Sequence, residues 1–213
     1  MSGISPPPQP LGDLSDEGLV TAYLDGRVEA FEELVGRYQD GLFRFLLRFV
    51  GSRASADDLF QETFLQVHQS AGTFDTRKRF KPWIFTIAAN KARDHLRRNQ
   101  RRSAASLSAP VRGAGDEGGV SFVDLIEDPL PMPEDRTQVR ETADLVREVV
   151  GSLPDHLREV LLLAYFEQFA YKEIAEMLGI PLGTVKSRLH AAVGGFADRW
   201  RAKYGSTPPT EMG

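Results

Sequence analysis

The chain has 213 residues, 41% of them hydrophobic, no cysteine and a formal net charge of −4. That length gives room for one or two small domains, and the absence of cysteine excludes disulfides, thiolate metal sites and a cysteine nucleophile. No apolar run approaches the ~20 residues needed to cross a bilayer, and the start, MSGISPPPQPLGD, lacks a secretion-signal pattern, so a cytoplasmic protein without membrane insertion is expected.

Residues 1–12 are rich in proline and read as a disordered tail. Ser15, followed by Asp16 and Glu17, reads as a helix N-cap, and that short helix should end near Asp25-Gly26. From Val28 to Val50 the set Phe31, Leu34, Val35, Tyr38, Leu42, Phe45, Leu46 and Phe49 keeps an amphipathic rhythm, with Gly51 as its stop. Ser55 to Asp58 predicts the next cap, with Ser55 as N-cap of a helix running to about Gln69. Leu59, Phe60, Thr63, Phe64 and Val67 mark one side of it, while Gln61, Glu62 and Gln66 mark the others.

After a loop from Ala71 to Arg79, the stretch Phe80–Arg102 changes character halfway. Its first half is apolar, with Pro82 in a first-turn position that suits it, and its second half is basic. Arg77, Lys78, Arg79, Lys81, Lys91, Arg93, Arg97, Arg98, Arg101 and Arg102 form a basic patch inside an acidic chain. Phosphate attraction acts over a Debye length of roughly 10 Å, so the local patch matters more than the average charge. A helix with aromatics at one end and cations at the other suits single-stranded nucleic acid, although a core helix with a solvated end fits the same residues.

Residues 103–133 are Ser-, Ala-, Gly-, Pro- and acid-rich and read as a flexible acidic linker. Periodicity returns at Glu134, breaks at Gly151-Ser152-Leu153-Pro154, and continues from Asp155 to Phe166. The segment YKEIAEMLGIPLGTVKSRLH, Tyr171 to His190, has the grammar of a helix-turn-helix: a helix over Tyr171–Leu178, a turn over Gly179–Leu182 and a helix from about Gly183 to Phe196. Gly179 supplies the left-handed turn and Val185 the buried anchor. Thr184, Lys186, Ser187, Arg188 and His190 are left as donors for base edges and phosphates. The expected architecture is all-α: a helical domain at 13–102, a linker at 103–133, a second helical domain at 134–203 and a tail at 204–213. Ala170 stands where a hydroxyl would cap the first motif helix, and Ala191 and Ala192 follow the second without cations.

Several motifs in order carry a family resemblance. These are Asp58-Leu59-Phe60-Gln61-Glu62-Thr63-Phe64, then Phe80-Lys81-Pro82-Trp83-Ile84 through Ala88-Ala89-Asn90, then Leu153-Pro154 and Gly183-Thr184-Val185-Lys186-Ser187-Arg188. Together they resemble the extracytoplasmic-function (ECF) sigma factors, small bacterial sigma-70 proteins that keep only regions 2 and 4. The resemblance implies core RNA polymerase as a partner, through its β′ clamp helices and β flap. Asp58, Leu59, Gln61, Glu62 and Phe64 match the clamp-binding segment. It implies promoter DNA as a second partner. Phe74, Trp83 and Asn90 match the part that opens the −10 element, and Lys91, Arg93, Arg97 and Arg98 would hold phosphates. Thr184, Lys186, Ser187, Arg188 and His190 match the −35 reader. An anti-sigma factor is a further partner class it allows.

The family usually has a hydroxyl at position 170 and cations at 191 and 192, so weaker −35 binding is expected here. The rival reading is a stand-alone helix-turn-helix regulator, which explains 171–190 but not the motifs at 55–102. An enzyme is not expected: the histidines His68, His95, His156 and His190 are scattered without metal-ligand spacing. No cofactor and no small-molecule substrate are expected.

Overall fold

The computed structural model describes residues 10–107 and 145–205, with side chains up to 102 and again from 145. The linker expectation for 103–133 lies largely outside the described residues, as do the tail expectation and the predicted helix start at Glu134. Every regular element among the described residues is helical.

A single 3-10 turn, Leu11–Asp13, leads into α1 (Asp16–Leu24). Ser15 caps α1 as predicted, its Oγ accepting from the Gly18 amide at 3.1 Å. α2 (Glu29–Val50) ends at Gly51, whose φ of 74° is the left-handed conformation that a glycine takes without strain. α3 (Arg53–Ser70) starts three residues earlier than expected. Its N-cap is Ser52 and not Ser55: the Ser55 amide donates to Ser52 Oγ at 3.3 Å, so Ser55 already sits inside the first turn. Both serines satisfy the composition of a cap, and Gly51 decides between them by ending α2 one residue before Ser52.

α4 (Phe80–Leu107) runs five residues beyond Arg102, a segment in which two alanines and a leucine are good helix formers. These four helices form one bundle around Phe45, Phe49, Phe80, Phe85, Leu42 and Leu46, all nearly inaccessible.

The second module contains α5 (145–151), α6 (Asp155–Leu161), α7 (Tyr171–Leu178) and α8 (Leu182–Tyr204). α6 runs directly into one π turn, Leu162–Phe166, and the chain then reverses through Gln168, whose φ of 56° is unusual for a residue with a side chain. α8 is longer than the sequence suggests, extending eight residues past Phe196. The extension has an apolar purpose: Phe196 and Trp200 are buried, and Trp200 packs on Tyr204 with ring centroids 5.0 Å apart. Lys203 and Tyr204 both bond Glu148 of α5, Tyr204 Oη at 2.9 Å, which ties the end of α8 to the start of the module.

The two modules do not stand apart. Their buried side chains form one continuous apolar cluster. A chain of rings crosses the boundary: Phe45 lies 5.3 Å from Phe85, and Phe85 lies 5.4 Å from Phe169.

Candidate nucleic-acid interface

The first part of the site is built at the start of α4. Phe74, just ahead of it, is 9% exposed and packs edge-on against Phe80. Trp83, half-buried, rests on the same pair, 4.7 Å from Phe74 and 5.6 Å from Phe80. Phe74 thus supports the indole and does not itself face solvent. The loop between them is closed by Asp75, whose carboxylate accepts from the Arg77 amide at 3.1 Å and from its guanidinium at 2.9 and 3.0 Å. The same guanidinium pulls the Asp75 carboxyl down to about 2. Lys78 and Arg79 are left exposed at the loop tip.

Further along α4, Asn90 is exposed and its Oδ1 accepts from Arg93 Nη2. Lys91 lies 3.6 Å from Glu62 of α3, so a cation of the predicted DNA face and an acid of the predicted polymerase face neutralise each other. Arg97 and Arg98 are exposed, Arg97 at 3.7 Å from Asp94.

On α3, Asp58, Gln61 and Glu62 face solvent as their i, i+3, i+4 spacing requires, whereas Leu59 and Phe64 are 1% and 7% exposed. Those two belong to the core and hold the face from behind. Sequence reasoning missed Leu65, which is 56% exposed on the same face as Gln61 and Glu62. Its signal was available: a leucine four residues after Gln61, on the polar stripe of an amphipathic helix.

The second part is the helix-turn-helix. Gly179 takes φ 63°, its amide donating to Glu176 O at 3.3 Å, while the Ile180 amide reaches Ala175 O at 3.0 Å. That pair of bonds is a Schellman stop and fixes the angle between α7 and α8. Val185 is fully buried and Leu189 nearly so, which turns Lys186, Ser187 and His190 outward. Thr184 and Arg188 are partly covered. Ala192 is fully buried, so no cation could stand there without being desolvated; only Ala191, which is exposed, leaves a vacant place on the surface. Arg199 and Arg201 are turned to Gly195 O and Asp198, within their own helix.

The remaining geometry lies between the two parts. Arg93 Nε of α4 stands 3.1 Å from Glu159 Oε1 of α6, and Glu159 is only 2% exposed. Burial pushes the Glu159 carboxyl up to about 7, with Arg93, Arg188 and Arg97 pulling against that rise. Arg79 meets Glu173 at 2.8 Å, Lys81 donates to Glu167 O at 3.0 Å, and Gln100 donates to Asp155 at 3.0 Å. Arg158 binds three carbonyls, including that of Phe49 across the boundary at 2.6 Å. Among the described residues no group of histidines and carboxylates is arranged to hold a metal, and no helix is long and apolar enough to cross a membrane.

An anchored tryptophan at the start of a basic helix and a helix-turn-helix thus stand in one chain, the two parts expected of a sigma-70-type promoter-specificity protein. The family models agree in chain order: Sigma-70 region 2 matches residues 34–102 and Sigma-70 region 4 matches residues 143–193. The ECF sigma factor SigW of Bacillus subtilis is 32% identical over 165 residues, covering 78% of this chain and 86% of the relative. The sigma-H factor of Pseudomonas aeruginosa is 33% identical over 178 residues, covering 83% of this chain and 89% of the relative. The chain belongs to the ECF RNA polymerase sigma factors. Its function is promoter-directed transcription initiation with core RNA polymerase, and a stand-alone regulator is not favoured. The fold is also that of CnrH, solved in complex with the cytosolic domain of CnrY, with a TM-score of 0.63, 23% identity and coverage of 88% of this chain and 98% of that one. The sigma factor RpoE of Bartonella quintana, solved with the anti-sigma factor NepR, gives a TM-score of 0.61 at 20% identity, covering 81% and 98%.

Proposed function

We propose a division of labour along the chain, with residues 13–102 acting as region 2 and residues 134–203 as region 4. Core polymerase is engaged by the exposed side of α3, through Asp58, Gln61 and Glu62 with Leu65 as its apolar contact, while Leu59 and Phe64 hold that side in register. The −10 element is opened and held by Trp83, supported by Phe74, and by Asn90, with Lys91, Arg93, Arg97 and Arg98 on the phosphates. Thr184, Lys186, Ser187, Arg188 and His190 read the −35 element in the major groove. The protein acts in the cytoplasm, catalyses nothing itself and is open to control by an anti-sigma partner of the kind solved with the Bartonella quintana RpoE fold.

The observation that carries this reading is the outward set Lys186, Ser187 and His190 on a helix whose Val185 and Leu189 are buried, in the same chain as an exposed Asn90 two turns along α4 from an anchored Trp83. The test is run-off transcription with core polymerase on candidate promoters. Asn90→Ala should weaken opening, and Arg188→Ala should weaken −35-dependent initiation by about tenfold, as for one lost base contact. Absence of core binding and of transcription from any genomic fragment would refute the reading.

A further inference from the structure

Between α4, α6 and the helix-turn-helix lies a cavity of about 550 Å³, within the roughly 300–1,000 Å³ of small-molecule sites. Part of its lining is apolar, with Leu96 of α4, Leu178 of α7 and Ile180 of the turn. Arg93 and Arg97 of α4 and Arg188 of α8 bring three guanidiniums to the same space. The neighbouring acids are mostly engaged elsewhere. Asp155 is taken by Gln100 at 3.0 Å and by Arg158 at 3.5 Å, and Arg97 has an exposed partner, Asp94, at 3.7 Å. A guanidinium presents a planar fork that fits phosphate oxygens, and here three of them surround one hollow with an apolar wall.

Glu159 supplies the second observation. It lines the cavity, is 2% exposed, and its Oε1 accepts no hydrogen bond among the described residues. Arg93 Nε is 3.1 Å away, but its N–H is directed to Ala89 O at 3.4 Å, and Arg93 Nη2 donates to Asn90. The contact between Arg93 and Glu159 is thus one of charge and not a hydrogen bond. A buried acceptor without a donor is costly, so a donor brought to it is worth more than one at the surface. The long bond to Ala89 holds the Arg93 fork only weakly. With that fork turned onto a phosphate, a hydroxyl or amino group of the same molecule would supply what Glu159 lacks.

We propose that this cavity is a binding site for a small phosphate ester of nucleotide size. Its phosphate lies against Arg97, Arg188 and Arg93, its hydroxyl or amino donor faces Glu159, and its less polar body rests on Leu178 and Ile180. The site rests on the cavity and its side chains and not on the promoter reading. One consequence does rest on that reading: a bound ester occupies arginines assigned to DNA phosphates and so competes with DNA.

The test is calorimetric titration of the full-length protein, at constant ionic strength, with adenosine 5′-monophosphate, ribose 5-phosphate, inorganic phosphate and adenosine. The esters should bind one to one and at least tenfold more tightly than inorganic phosphate, and adenosine should not bind. Esters that bind no better than inorganic phosphate mark general attraction of anions only and overturn the proposal. Arg97→Gln and Arg188→Gln should each weaken the esters about tenfold, as for one lost charge-assisted hydrogen bond, while Arg201→Gln, outside the lining, should not. Equal affinities in all three variants overturn the assignment of the site. Glu159→Met should strengthen inorganic phosphate, because a negative charge is removed, and should erase the advantage of the esters. An undiminished advantage in that variant overturns the role given to Glu159. Finally, the esters should displace a labelled non-template −10 oligonucleotide from the free chain at the concentrations that fill the site. Ester binding without displacement supports the site and counts against Arg93 and Arg97 as DNA contacts.

Discussion

A carboxylate with its pKa raised to about 7 stores a pH dependence that its sequence context does not reveal. The protonated form of Glu159 is favoured in the folded chain by burial, so its contribution to stability is fully present below the ordinary value of 4.5. That contribution is lost as pH rises through about 7, on the order of 3 kcal/mol across the window. Glu167 is raised for the same reason and adds in the same direction. Melting temperature measured from pH 5 to 8 should therefore fall, and Glu159→Gln should flatten its part of the slope. A Glu159→Gln profile parallel to the native one would show that Glu159 carries no such proton. Ala170 is the second informative position. Its φ of −63° and ψ of 145° are those of an N-cap, yet it offers no side-chain acceptor. Only half of a capping box exists, the Ala170 amide donating to Glu173 at 2.9 Å. Ala170→Ser should stabilise the chain by about 1 kcal/mol, read from urea or thermal unfolding.

At the scale of the element, two of the residues with positive φ, Gly51 and Gln168, behave oppositely. Gly51 ends α2 at φ 74°, with nothing within 4 Å of the place a methyl group would take, so Gly51→Ala costs backbone strain alone, about 1 kcal/mol. Gln168 holds φ 56° with a full side chain, and Gln168→Gly should recover up to about 1 kcal/mol. Equal melting temperatures for both variants would contradict this account of the turns. The end of α8 is held by apolar contacts. Trp200→Ala should cost roughly 3–5 kcal/mol, because it empties a buried ring site between Phe196 and Tyr204.

For the whole molecule, a shared apolar cluster predicts that the two modules melt together. Calorimetry of the native chain should give a single transition, and Glu159→Arg should separate it into two. The helices, their approximate ends, the helix-turn-helix and the family were legible because each depends on residues within a few turns of one another. Gly51, Gly179 and the period of Val185 and Leu189 speak locally. Ser52 and Ser55 were indistinguishable by composition, and the choice fell to where the preceding helix stopped. Periodicity alone already sets Leu59 and Phe64 on the apolar side of their helix, whereas the family motif groups them with Gln61 and Glu62, since a motif match does not report which way a side chain faces. What the sequence by itself determined was the set of elements and the chemistry each could carry. Only the tertiary structure decided that Glu159 meets Arg93, because that pairing joins residues far apart in the sequence and no local pattern encodes it. Burial, which makes the contact matter, is a property of the packed modules and of neither segment alone.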